Sequence, residues 1–188
     1  MGKIVVTEFI SLDGVFEDPG GAESFQHGGW SFDFNQGEEG GTFKLDELTA
    51  ADAQLLGRVT YEGFAKAWPA MEDPVGFASK MNGMPKYVVS STLTEPTWNN
   101  TTVITLDQAG KLKDQYQGDI LVAGSGQLVR ALTGLGLVDE YRLMVFPVVL
   151  GTGKRLFDGA ARTRLKLTDV TSIGPDGVTI QRYAPSRA

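Results

Sequence analysis

Short β-branched runs alternate with helical stretches through most of this chain, and the runs end on glycine or hydroxyl residues. Strands are expected over residues 4–10, 53–56, 86–90, 102–105 and 119–123. Between them, Tyr61, Phe64, Ala65 and Trp68 recur at i, i+3, i+4 and i+7, which predicts a helix that begins at Thr60 and stops at Pro69. Leu128, Ala131, Leu132 and Leu135 predict a second helix from Gly126, with Gly136 at its C-terminal cap. Shorter helices are expected over residues 43–51 and from Asp107 to Tyr116, whereas residues 17–41 read as a loop. The last third carries strands over 141–150, 164–171 and 178–183, with the final two joined by Pro175-Asp176-Gly177. Strands separated by helices require crossover connections, so the expected architecture is one α/β domain. It has a mainly parallel mixed sheet flanked by helices and an antiparallel C-terminal hairpin.

Composition narrows the chemistry. The net charge of -6 repels phosphate backbones and anionic lipid, so neither nucleic acid nor a membrane is an expected partner. No apolar run approaches the roughly 18 residues of a membrane span. The first eight residues lack the features of a signal peptide, and a cytoplasmic location is expected. With no cysteine and His27 as the single histidine, thiolate chemistry and the common zinc sites are excluded, and no metal is expected. Glycine is abundant, 24 of 188 residues, which suits tight turns or backbone lying close to a ligand.

Familiar catalytic motifs fail on inspection. Ser125 lies between glycines, but Ala123 occupies the first glycine position of a nucleophile elbow. Gly151-Thr152-Gly153-Lys154-Arg155 lacks the leading glycine and the final hydroxyl of a phosphate-binding P-loop. Three strand-to-turn junctions remain. In Gly57-Arg58-Val59-Thr60-Tyr61-Glu62 a strand runs into a helix N-terminus beside an arginine, a suitable place for an anion. Structurally, Thr60 could simply cap the helix while Arg58 pairs with a surface carboxylate. Val89-Ser90-Ser91-Thr92 clusters hydroxyls where a strand leaves the sheet, or forms a plain polar turn. Ala123-Gly124-Ser125-Gly126-Gln127 exposes backbone into another helix N-terminus, as a pyrophosphate cradle or a packing glycine pair. Parallel strands bind ligands beyond their carboxyl ends, so all three could address one extended nucleotide.

These junctions, with Ser11-Leu12-Asp13-Gly14 and Phe146-Pro147-Val148-Val149-Leu150-Gly151-Thr152-Gly153, resemble the dihydrofolate-reductase-like superfamily. The branch is that of the reductase domain of bacterial riboflavin biosynthesis. The resemblance implies a dihydrofolate-reductase-like fold, a homodimer, NADPH as cofactor and hydride transfer to a small heterocycle. That substrate would be pyrimidine- or pterin-like, as in 5-amino-6-(5-phosphoribosylamino)uracil reductase, or a related carbonyl or imine. By motif position, Gly57, Arg58 and Thr60 would hold phosphates, with Arg58 on the 2'-phosphate. Ser90 and Ser91 would line the adenosine end, and Gly124, Ser125, Gly126 and Gln127 would pass under the pyrophosphate and nicotinamide ribose. Leu12, Phe16, Gly151 and Lys154 would border the substrate. Asp13 would be the catalytic group, holding the substrate or a proton-relaying water, although Asp13-Gly14 also suits an ordinary turn. No residue matches the pterin-binding carboxylate of dihydrofolate reductases clearly; Asp33 and Asp46 are the candidates. Two other readings stay open, a nucleotide-binding protein without turnover and an interaction protein that dimerises through its apolar last third.

Overall fold

The computed structural model describes residues 1–186. Its strands are β1 (Lys3–Ser11), β2 (Ala51–Gly57), β3 (Lys86–Val89), β4 (Thr101–Ile104), β5 (Asp119–Val122), β6 (Glu140–Phe146), β7 (Leu165–Ile173) and β8 (Val178–Pro185). They form one sheet in the order β4-β3-β2-β5-β1-β6-β8-β7. β1 to β6 pair in parallel, and β8 pairs antiparallel with both β6 and β7, giving the expected mixed sheet and closing hairpin. The helices are α1 (Gly37–Ala50), α2 (Arg58–Ala67), α3 (Phe77–Gly83), α4 (Leu112–Gln115) and α5 (Gly126–Gly134).

Alternation along β1 divides the core. Ile4, Val6 and Ile10 pack with Leu112 of α4 and with Leu128, Val129 and Leu132 of α5. Val5 points the other way, to Leu48 of α1, Tyr61 of α2 and Met81 of α3. A third cluster joins Trp30, Phe146, Val178 and Ile180 under the loop that precedes α1. Because β5 comes back between β2 and β1, the order of strands reverses at the sheet centre, where α/β sheets open a crevice at their carboxyl edge. Among the described residues no helix is long and apolar enough to cross a membrane.

Several element ends differ from expectation for identifiable reasons. α1 starts at Gly37, inside the stretch read as loop. Its glycines at 37, 40 and 41 lower helix propensity, and tertiary contacts outweigh that cost. Leu48 and Glu47 are buried under the helix, and the Thr7 hydroxyl donates to Glu47 Oε2 at 2.7 Å. α2 starts at Arg58 with Gly57 as its N-cap, so Thr60 is an internal residue and not the cap. Glu62 therefore lies in the second turn. α3 was not foreseen; the Asp73 carboxylate accepts amide hydrogen bonds from Val75, Phe77 and Ala78 and organises its start. Thr105, in a capping box with Gln108, and not Asp107, starts the turn leading into α4. β6 ends at Phe146, short of Leu150, because Pro147 has no amide to continue a ladder.

α5 ends as its sequence implied. Gly136 takes φ +64°, its amide bonds Thr133 O at 3.0 Å, and the Leu137 amide bonds Leu132 O at 3.0 Å, the two bonds of a Schellman motif. A Cβ at Gly136 meets no neighbour, so a substitution there tests backbone strain alone. Gly136→Ala should cost about 1 kcal/mol in urea unfolding. No loss of stability would show that the left-handed turn is not imposed by the fold.

Candidate functional site

The first and third junctions meet at the carboxyl edge of the sheet. β2 and β5 are neighbours, and the Gly57 amide donates to Gly124 O at 3.2 Å. A Cβ on Gly57 would stand 2.9 Å from the Ser125 amide nitrogen, and one on Gly124 would stand 2.6 Å from Thr60 Oγ1. Only glycine lets the two turns approach this closely. Gly124 has φ +93°, and the Gly124–Ser125 peptide is cis. Neither helix that starts here has a side-chain cap: Gly57 has none to offer α2, and Ser125 makes no capping hydrogen bond to α5. Two sets of free helix amides, each at a positive dipole end, are thus held side by side.

Arg58 stands at the mouth. Its Nη1 bonds both oxygens of Glu62, at 2.8 and 3.0 Å, and both side chains are more than two-fifths exposed. An exposed pair of this kind contributes about 0–1 kcal/mol, so the guanidinium can be surrendered to a phosphate at little cost. Gln127 is exposed on the first turn of α5. The second junction is on β3, which pairs with β2 so that Val89 lies opposite Gly57. There Ser90 Oγ accepts from the Thr92 and Leu93 amides at 3.1 and 3.0 Å, while Ser91 is exposed. Ser90 thus shapes a turn on the flank of the cleft.

The segment after β1 closes the other flank. The Phe16 ring lies over Gly126, where a Cβ would come within 2.8 Å of its Cε1. Leu12 is two-thirds exposed, and its amide donates to Val148 O. Phe16 N to Lys154 O and Leu156 N to Gly14 O zip residues 12–16 to residues 148–156. Asp13 is the knot. Its carboxylate accepts from the Ser11 hydroxyl at 2.7 Å, the Leu150 amide at 3.1 Å and the Gly151 amide at 2.9 Å. Arg155 adds Nη2 to Asp13 Oδ2 at 3.4 Å and Nε to Asp13 O at 3.0 Å. Desolvation alone would raise this carboxyl, but the Ser11, Leu150 and Gly151 hydrogen bonds outweigh it and hold the group at about 2. Asp13 is therefore a permanent carboxylate that ties two loops together, and the donated protons occupy much of its acceptor capacity. Lys154 pairs with Glu17 through its ammonium and its own amide, so its charge is already answered.

A buried carboxyl with no sequence motif lies in the same region. Pairing of β1 with β5 ends at Val6 and Val122, and β1 runs on to Ser11. Two residues past the last pair stands Glu8, level with the point where Gly124 turns away. Its neighbours in phase, Val6 and Ile10, are buried apolar residues, yet Glu8 is half-buried with Oε1 sealed from solvent and without a hydrogen-bond partner. Burial pushes its carboxyl up to about 8; the Lys44 charge offsets part of this and Glu23 adds to it. A glutamate among β-branched residues carries no motif, and only its alternation with Val6 and Ile10 marked it as inward-facing.

Asp33 and Asp46 are both exposed. Asp46 borders a concavity of about 490 Å³ between α1 and the β7–β8 hairpin, and another of about 520 Å³ lies between the end of α5 and residues 161–164. Neither concavity touches the three junctions. The junction cleft is defined by converging amides and not by enclosed volume, and those amides are what an anion needs.

The chain matches the family model of the RibD C-terminal domain over residues 2–179. It is 34% identical over 142 residues to the protein YyaP of Bacillus subtilis, which covers 72% of this chain and 75% of that one. Among solved structures it is similar to a putative riboflavin biosynthesis protein of Shewanella, with TM-score 0.74, 19% identity and coverage of 98% and 99% of the two chains. It is also similar to dihydrofolate reductase of Enterococcus faecalis in complex with NADP(H), with TM-score 0.61, 13% identity and coverage of 99% and 98%. These likenesses establish the dihydrofolate-reductase-like fold.

The Asp13 knot predicts a pH signature. Its native pKa lies below the ordinary 3.8, so its stabilisation is present above that value and is lost as pH falls toward about 2. Asp13→Asn should be less stable than the wild type at neutral pH, with the gap closing on acidification. Equal urea midpoints at neutral pH would show that the knot carries no weight.

Proposed function

The chain belongs to the RibD C-terminal domain family, and on that premise we propose that it is an NADPH-dependent reductase of a small heterocyclic substrate. The observation that carries this reading is the convergence of two uncapped helix N-termini, α2 and α5, at glycines with no room for a side chain. The residues present suit a dinucleotide. Amides of Arg58, Val59 and Thr60 on one side and of Gly126 and Gln127 on the other would hold its phosphates, with Gly57, Gly124 and Ser125 giving the backbone access. Arg58 would leave Glu62 and take the 2'-phosphate in a two-pronged bond. Ser90 and Ser91, on the neighbouring strand end, would flank the adenosine.

When bound, NADPH supplies a hydride, and the protein contributes orientation and exclusion of water. Leu12, Phe16, Gly151 and Lys154 would border the substrate on the zipped rim. We assign Asp13 the role of positioning that rim: being ionised, it orients a substrate or water without itself giving up a proton. A pyrimidine- or pterin-like ring fits the family, as does a related carbonyl or imine. The assembly we propose is a homodimer. β7 is an edge strand exposed on both faces from Lys166 to Ser172, and it carries Leu167 and Val170 each about half exposed.

Thermal unfolding with each dinucleotide tests the cofactor assignment. Ligand at about 100 times its dissociation constant should add about 2.7 kcal/mol. NADPH should stabilise more than NADH at equal concentration, and Arg58→Ala should shrink that preference. A preference unchanged by Arg58→Ala would refute the 2'-phosphate contact. Light scattering should give twice the 20.2 kDa chain mass, and Val170→Lys should shift it toward a single chain. A wild-type protein of single-chain mass would refute the dimer.

A further inference from the structure

The reductase reading leaves the proton unassigned. Adding a hydride to the carbon of a C=N or C=O bond requires a proton on the nitrogen or oxygen, and Asp13 is held as a carboxylate by its four hydrogen-bond donors. An acid serving this step must lie at the crevice, keep its proton at neutral pH and have a face not consumed by protein contacts.

We infer that Glu8 is the acid that protonates the substrate, working from the floor of the gap that opens between β1 and the Gly124–Gly126 turn. The inference rests on the reductase reading for its substrate class. Its geometry is independent of that reading. Pairing of β1 with β5 stops two residues before Glu8, so no strand covers this side of it. On the other side β6 continues the sheet, with buried Leu143 opposite Glu8. A carboxyl placed in phase with Val6 and Ile10 has no structural reason to be there: Oε1 is buried and bonds nothing, which costs stability unless a ligand uses the group. The charged groups that face it are Lys44 of α1 and Glu23 of the loop after β1. Lys44 is itself engaged with Thr7 and Glu47, so it does not neutralise Glu8 by direct pairing. Burial keeps the proton on up to about pH 8, which is the state an acid catalyst needs.

The substrate carbon accepts a hydride from the reduced dinucleotide, the π pair of the C=N or C=O bond moves to the heteroatom, and the heteroatom takes the Glu8 proton. The substrate gains two electrons and two hydrogens, the dinucleotide is oxidised, and the Glu8 carboxylate recovers a proton from water. The preferred substrate is thus a heterocycle with a ring nitrogen beside the carbon to be reduced, or an equivalent carbonyl.

Two measurements decide it. Carbon-13 NMR of the cofactor-free protein, labelled at glutamate side-chain carboxyls, should show one carboxyl with a midpoint near 8 that is missing from Glu8→Gln. A protein in which every glutamate titrates below about 6 overturns the inference without any appeal to turnover. NADPH oxidation with 7,8-dihydropterin as probe should decline as pH rises through about 8. Glu8→Gln should slow it by about a hundredfold or more, remove that pH limb and leave the thermal shift given by NADPH unchanged. A Glu8→Gln rate within about twofold of the wild type, with the limb retained, overturns the inference. Absence of any NADPH thermal shift in the wild type fails the reductase reading itself, and the role of Glu8 with it, whatever the carbon-13 midpoint.

Discussion

β5 contributes four residues to the sheet and β1 nine, and their ladder ends at Val6 and Val122. Beyond that point the central strand of the molecule runs on without a partner on one side, and the chain from β5 turns across to β2. An unpaired strand edge inside a sheet is costly unless something else answers its polar groups. In this protein the consequences are spatial. The turn that leaves β5 lies against the turn that leaves β2, with Gly57 and Gly124 removing the side chains that would hold them apart. Two helix N-termini then face one crevice, and the crevice has Glu8 at its base.

The rim is built on a different principle. Residues 12–16 and 148–156 have no regular structure of their own, apart from an isolated bridge between Val15 and Arg155. They become one unit through backbone hydrogen bonds and through the ionised Asp13, which collects donors from Ser11 and from residues 150, 151 and 155. Glu17 with Lys154 closes the same seam. The protein as a whole carries a net charge of -6, yet the proposed phosphate site consists of amides and one arginine. Oriented dipoles at short range can outweigh a diffuse surface field of the opposite sign, particularly at physiological salt.

Much of this was legible in the chain. Alternating strands and helices marked the sheet class; glycines marked the junctions after β2 and β5, because a residue without a side chain is conspicuous wherever two backbones touch, and hydroxyls marked the one after β3. Gly136 ended its helix as the local rule requires. The failures are equally physical. α1 was hidden because Gly37, Gly40 and Gly41 argue against a helix, and what stabilises it, Leu48 on the core and Glu47 on Thr7, is contact made only after folding. Thr60 was placed on a helix whose start was taken two residues late, which left Arg58 outside it, since Gly57 caps it without a side chain to reveal the cap. Glu8 was passed over because its meaning depends on where the neighbouring strand ends, and register is not written in the sequence of either strand.

We propose that the junctions of β2 and β5 hold an adenine dinucleotide across the crevice. A crystal structure of the protein grown with NADPH tests it most directly. The pyrophosphate should lie within hydrogen-bond reach of the first amides of α2 and α5, the 2'-phosphate on Arg58 and the nicotinamide between Phe16 and the stretch of β1 that runs on past its pairing with β5. A dinucleotide seated instead in the concavity between α1 and the β7–β8 hairpin, or no bound dinucleotide at saturating concentration, would contradict it.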